Sequence, residues 1–284
     1  PQNQRRNTIL FLIVTAGVLI LITAAGMLLK DQAVQTNFAK KNLAPSREFL
    51  FGTDWMGRDM FARTLAGLSL SIRIGLLTAA VSALIALILG TACAVLGRAA
   101  DAVISWWIDL MMGIPHILLV MLISIACGRG FTGVVAGVAL SHWTSLARVI
   151  RGEVLQLREA PYILTASKLG VSKMQIVKNH MIPHLLPQFV TGLILLFPHA
   201  ILHESSITFL GFGLSSEQPA IGVILSESLR YLPTGRGWLA LFTGLPLVCV
   251  VMLVAVLGVR VEKLMHQHSA NEYAGIIWTR FLKF

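Results

Sequence analysis

His199 and His203 stand four residues apart in an apolar stretch, a spacing that puts both imidazoles on one face of a helix. Neutral imidazole is a common ligand for Ni²⁺, Zn²⁺ and Cu²⁺. Ionisable side chains inside long apolar segments are costly and usually face a cavity or a partner. We therefore expect His199 and His203 to be metal ligands. Two imidazoles suit weak, transient ligation rather than a closed four-ligand structural site. The plainer alternative is that each histidine hydrogen-bonds a neighbouring helix. Glu204 is adjacent in sequence but sits about 100° round the helix, where it adds a negative field without sharing the histidine face. His116 follows Pro115, where a proline kink with a packed histidine explains it equally well. His180 and His184 flank Pro183 and read as surface contacts.

Composition says what kind of helices must carry these residues. Of 284 residues, 56% are hydrophobic and 13% charged, against about 25% charged in an ordinary soluble domain. Thr8–Leu29, Ile74–Leu96 and Trp238–Val259 run 22 or 23 residues without a charge. A bilayer core about 30 Å thick needs about 20 apolar helical residues. This excludes a soluble globular domain and a disordered chain. The net charge of +10 does not mark a nucleic-acid binder, because the basic residues fall between apolar blocks rather than on one polar face. The expected class is all-α: a polytopic membrane protein with six transmembrane helices near 8–29, 70–96, 104–127, 131–150, 186–212 and 238–259. The third and fourth are the least clean, with 18 uncharged residues each in Leu110–Cys127 and Gly130–Ala147. Gly128–Arg129–Gly130 makes a tight turn between them. The first block exceeds a signal-peptide core of roughly 7–15 residues, so it reads as a retained span. The chain begins at Pro1, so a few residues are expected to precede it. Cys93, Cys127 and Cys249 lie in apolar stretches without metal-ligand spacing and are expected to be buried free thiols.

Loop charges set the orientation. Arg5 and Arg6 put the N-terminus in the cytoplasm, and six spans return the C-terminus there, beside Arg260 and Lys263. Residues 1–7 form the cytoplasmic N-terminus. A six-span domain covers 8–260, with an external loop at 30–69 and an internal loop at 151–185. A cytoplasmic tail covers 261–284, where His266, His268 and an aromatic stretch from Trp278 to Phe284 suit a membrane surface or a partner. The external loop runs against the rule, because Lys30, Lys40, Lys41, Arg47, Arg58 and Arg63 fall outside with only partial acidic compensation.

The internal loop has strong local signals. Pro161 suits a first helical turn, and the helix should reach Leu169. Gly170 supplies the left-handed residue that ends it. Ser172 and Gln175 have the spacing of a capping box. The second helix is expected to stop before Pro183. The pattern is helix, glycine hinge, helix, proline. It reads either as an amphipathic connector on the membrane or as a docking element that receives force.

Here the sequence resembles the permease subunits of ABC importers. Their coupling loop reads E-A-A, three residues, G, nine residues, I, any residue, L, P. Leu164, Thr165 and Ala166 occupy the E-A-A places, Gly170 the glycine, and His180, Ile182 and Pro183 the I, L and P. Four of those positions differ from the pattern. Phe51–Asp59, FGTDWMGRD, resembles the GTDxxGRD segment of the peptide/nickel permease subfamily, and Ile207–Gly213, ITFLGFG, resembles its LSFLGLG. Ala147–Leu155 fits the run into the loop. The tail lacks the subfamily's Asp-Pro run.

The resemblance implies the type I importer permease fold in a bacterial inner membrane. Its implied partners are a homologous second permease, two ABC ATPase subunits, an extracytoplasmic solute-binding protein and membrane lipid, with no nucleic acid. It also implies that Leu164, Thr165, Ala166, Ser167, Lys168, Leu169, Gly170, Ser172, Lys173 and Pro183 meet an ATPase. No GxxxxGK[ST] motif occurs, so ATP and Mg²⁺ belong to those partners, and this chain is expected to be non-catalytic with no cofactor of its own. HAILH before ITFLGFG, and LSHW at Leu140–Trp143, resemble the nickel branch. His142 thereby joins His199, His203 and Glu204 along an expected metal pathway, with nickel ion or a nickel chelate as cargo. The alternative cargo is a di- or oligopeptide. An intramembrane metalloenzyme is a further alternative, but HExxH is absent: His203–Glu204 is followed by Ser205, Ser206 and Ile207.

Overall fold

A computed structural model describes the backbone of residues 2–281 and the side chains of residues 5–93 and 95–265. The helices are α1 (Gln2–Leu28), α2 (Lys30–Val34), α3 (Met60–Val95), α4 (Arg98–Gly113), α5 (His116–Ala126), α6 (Gly130–Arg158), α7 (Pro161–Lys168), α8 (Lys173–Ile176), α9 (Ile182–Phe209), α10 (Ile221–Leu229) and α11 (Trp238–Phe281). Five segments are long and apolar enough to cross a membrane, and α4 with α5 makes a sixth if the bent pair counts as one span.

The central bundle is α3, α6 and α9. Lipid tails offer no hydrophobic drive between helices, so close packing of small residues must hold them. Ala79, Ala83 and Ala86 of α3 are all buried. Ser82 Oγ donates to the Ala139 carbonyl at 2.8 Å. A Cβ on Gly75 would sit 2.6 Å from Ile201 of α9, so only glycine permits that approach.

Two ends are distinguished by their connections. At one, the loop end, Gly130 N donates to Gly213 O, and the segment before α3 meets α10. At the other, the elbow end, lie α7 and α8. The segment before α3 is knotted by charge. Asp54 accepts from the backbone of Met56 and Arg58, pairs with both guanidinium groups of Arg58 and Arg63, and those two arginines reach Glu227 of α10 at 3.1 and 2.9 Å. Arg63 is 2% exposed. Removing one member of such a buried cluster strands the others, which costs about 3–5 kcal/mol.

Several expected boundaries need correction. The second span begins at Met60 rather than near 70, because the Asp59 side chain caps it by accepting from Phe61 N at 2.9 Å. The third span is not a straight helix over 104–127: it breaks at Ile114–Pro115, and its halves diverge by 102°. Pro115 lacks an N–H, and the residue before a proline is pushed out of the helical region. Ile114 accordingly has φ −89° and ψ 134°.

Pro183 does not stop a helix. Residues Val177–Met181 widen into a π turn in which Ile182 N donates to Val177 O, and the chain runs on into α9. The wider turn absorbs the missing proline N–H and its ring. Cys93 is buried as expected, but Cys127 and Cys249 lie on the outer surface. The backbone from 261 to Phe281 prolongs α11. The side chains expected to act in that tail, His266, His268 and Trp278–Phe284, lie outside the described residues.

Candidate functional site

Three helices bring imidazoles together. His116 opens α5 just after the proline break. His142 lies twelve residues into α6, about 18 Å from its loop end, and His203 six residues before the end of α9, about 9 Å. The ring centroids of His116 are 4.5 Å from His142 and 4.6 Å from His203, and His142 lies 5.0 Å from His203. One nitrogen from each falls within 4.8 Å of the other two.

Hydrogen bonding fixes how one of these rings presents itself. His142 Nδ1 lies 2.8 Å from the Val138 carbonyl. A carbonyl only accepts, so Nδ1 carries the proton and Nε2 keeps its lone pair. That Nε2 is 3.3 Å from His116 Nε2. Two imidazole nitrogens bound to one tetrahedral ion at 2.0–2.1 Å would be about 3.4 Å apart. A metal-bound histidine characteristically donates its other N–H to a carbonyl or carboxylate, as His142 does.

The three rings border a cleft of about 630 Å³, lined also by Met111, Pro115, Ser145 and Leu196. His199 lines this cleft one helical turn from His203 but is exposed and stands outside the three-nitrogen group. Of the expected ligand pair, His203 therefore joins the cluster and His199 does not. Glu204 turns away. It is fully buried, accepting from Ser71 Oγ of α3 at 2.6 Å, Thr208 Oγ1 at 3.1 Å and Ser205 Oγ at 3.2 Å. It ties α9 to α3 rather than facing the cleft.

The elbow is a second functional candidate. α7 ends at Lys168, with Leu169 at its cap, and Gly170 has φ +83°. Gly170 N donates to Ser167 O, and Val171 N to Ala166 O, the paired bonds of a Schellman ending. Ser172 and Gln175 form both halves of the capping box that starts α8. Thr165 Oγ1 donates to Pro161 O, and Lys173 begins α8. Leu164, Leu169 and Met174 are 44%, 79% and 69% exposed. Large apolar side chains displayed on a short rigid elbow are a docking surface in composition.

His116, read from the sequence as a packed histidine after a proline kink, joins the three-ring group. The signal was Gly113-Ile-Pro-His116 inside the least clean apolar block, where the proline turns α5 and aims its first residue inward.

The comparisons with known proteins agree with this architecture. A family model described as "binding-protein-dependent transport system inner membrane component" matches residues 82–267. The dipeptide transport system permease protein DppC of Bacillus subtilis (strain 168) is 30% identical over 209 residues, covering 74% of this chain and 65% of that one. The oligopeptide transport system permease protein OppC of the same organism is 29% identical over 241 residues, covering 85% and 78%. The DppC of Alkalihalophilus pseudofirmus is 30% identical over 247 residues, covering 87% and 81%. These three are named for peptides, not for nickel. A solved structure of the MetNI methionine ABC transporter in inward-facing conformations shares the fold, with a TM-score of 0.59 at 17% identity over 72% of this chain and 97% of that one. The chain belongs to the family of binding-protein-dependent transport system inner membrane components, the permease subunits of ABC importers.

Proposed function

We propose that this permease passes a divalent transition-metal cation, nickel or a close relative, alone or in a small chelate. The observation that carries the reading is the group of His116, His142 and His203, with His142 Nε2 presented as a lone pair beside His116 Nε2 at 3.3 Å. Three imidazoles without a carboxylate in the group suit a borderline divalent cation such as nickel, held loosely enough to leave. His199 in the same cleft is a candidate next ligand as the ion moves one turn along α9. The cleft of about 630 Å³ exceeds the needs of a bare ion, which favours a chelate.

A second reading, a di- or oligopeptide cargo, is favoured by the names of the relatives. Radiolabelled nickel uptake against dipeptide uptake in cells carrying His116→Ala, His142→Ala and His203→Ala together separates the two. The metal reading expects nickel uptake at background with the transporter still assembled. Unchanged nickel uptake, or loss of dipeptide uptake alone, transfers the cargo to peptides.

In this proposal the loop end faces outside and the elbow end faces the cytoplasm. Three of the awkward external basic residues, Lys40, Arg58 and Arg63, are paired with Glu48, Asp54 and Glu227. Acidic partners count for little in the loop asymmetry that sets topology, so the orientation rests on Arg5 and Arg6 before the first span and on Arg260 and Lys263 after the last. The exposed Leu164, Leu169 and Met174 seat in an ATPase groove, and closure of two ATPase subunits levers the elbow about Gly170. A solute-binding protein delivers cargo at the loop end, and a second permease completes the path. ATP and Mg²⁺ stay with the ATPases. The cation enters one access state and leaves the other because the two states bind it differently.

A further inference from the structure

A groove opens beside the middle of α1, where Thr15 is buried and Leu19 and Ile22 pack on the core. At the loop end α1 and α3 are in tight contact: a Cβ on Gly26 would lie 2.2 Å from Leu65 O, and Ser69 Oγ donates to Thr23 O at 3.0 Å. Toward the elbow end the Arg260 guanidinium of α11 covers the Phe11 ring at 4.5 Å. Between these two clasps, about 22 Å of helix from Phe11 to Gly26, lies a groove of about 580 Å³. Its walls include Leu19 of α1, Ile72 and Leu76 of α3, Phe197 of α9 and Val254 of α11.

One charge borders this apolar groove. Arg73 of α3 is exposed on it, and among the described residues no carboxylate pairs with it. Its Nε donates back to the Ser69 carbonyl, one turn nearer the loop end, at 3.1 Å. The side chain thus snorkels toward that end, to the level of Thr23, about 7 Å below the end of α1. A guanidinium without a carboxylate partner inside a membrane span is costly, and an anion beside it lowers that cost. A chain laid along such an apolar channel gains dispersion contacts with its walls.

We propose that this groove is a binding site for one phospholipid, its phosphate held by Arg73 and one acyl chain lying along α1 between the two clasps. The guanidinium fork matches phosphate oxygens, and the groove runs lengthwise beneath it. The occupant is a lipid rather than a protein helix because the charge on this apolar groove is a guanidinium with no carboxylate beside it among the described residues, which the phosphate at the head of an acyl chain answers. The lipid shims α1 against α3, α9 and α11, so it bears on how freely α9 and its histidine move.

The test is native mass spectrometry of the assembled importer after detergent exchange, with phosphatidylglycerol or a diacylglycerol of the same chains added. The wild type should retain one phosphatidylglycerol per chain and hold diacylglycerol about tenfold less well, a comparison that needs no variant. Arg73→Gln should cut retention of phosphatidylglycerol about tenfold, and Arg73→Lys should recover part of it. Leu76→Trp, which fills the groove, should evict the lipid with Arg73 in place. Equal retention of the two lipids by the wild type, or unchanged retention of phosphatidylglycerol in Leu76→Trp, would overturn the site.

Discussion

The elbow and the histidine cleft are built on opposite plans. The elbow, Pro161 to Pro183, is held by bonds between residues at most five apart: the paired bonds around Gly170 and the capping box of Ser172 and Gln175. It displays Leu164, Leu169 and Met174 on its surface while Ile163, Ile176 and Met181 anchor it in the core. The cleft depends on distant partners. His116, His142 and His203 come from three helices, and although the Val138 carbonyl orients the His142 ring, their meeting rests on packing between helices and on the break at Pro115. A part that transmits force must keep its own shape while its surroundings move. A part that holds cargo must change when the helices move. Local bonding suits the first and shared bonding suits the second.

The sharpest way to break this contrast is at Gly170. Proline cannot take φ +83°, and it would also remove the N–H that bonds Ser167 O. Gly170→Pro should distort the elbow by about 3 kcal/mol or more and abolish transport of any cargo, with the protein still inserted. Normal solute-stimulated ATP turnover in the assembled variant would deny the elbow its role. Pro115→Ala attacks the cleft instead. It restores an N–H and removes the ring clash, so α4 and α5 can approach one helix and draw His116 from the cluster. Nickel affinity should fall about 10–100-fold, the range for disturbed ligand placement, with insertion unchanged. Unchanged affinity would mean that packing, not the proline, aims His116. The smallest effect is expected from Ser172→Ala. Loss of the cap costs about 1 kcal/mol, slowing transport less than about tenfold while leaving nickel affinity untouched. A change in nickel affinity there would mean that the two regions are not built independently.

The same contrast explains what could be read from the residues alone. Gly170, Ser172 and Gln175 announce their geometry because each acts on residues within a turn, and the elbow forms as their spacing predicts. Apolar run length likewise announced the spans. It did not announce where α3 starts, because Arg63 looks like a loop charge until Asp54 and Glu227 are seen around it. Nor did it announce the break at Pro115, since an apolar run reads the same whether straight or folded by 102°. The expected pairing of His199 with His203 followed helical periodicity and the resemblance of HAILH to the nickel branch, both of which speak of one helix only. Across helices, His203 meets His116 and His142 instead, and Glu204 is consumed in bonds to Ser71, Ser205 and Thr208. Pro183 misled in the other direction, because a π turn carries the helix past it.

The central claim is that the three imidazoles hold the transported cation. X-ray absorption at the nickel edge, on the assembled importer loaded with one equivalent of nickel, reads the ligands directly. The account predicts imidazole scattering from more than one histidine, lost when His116, His142 and His203 are replaced together by alanine. A spectrum with only oxygen ligands, or one unchanged by the replacement, would contradict it.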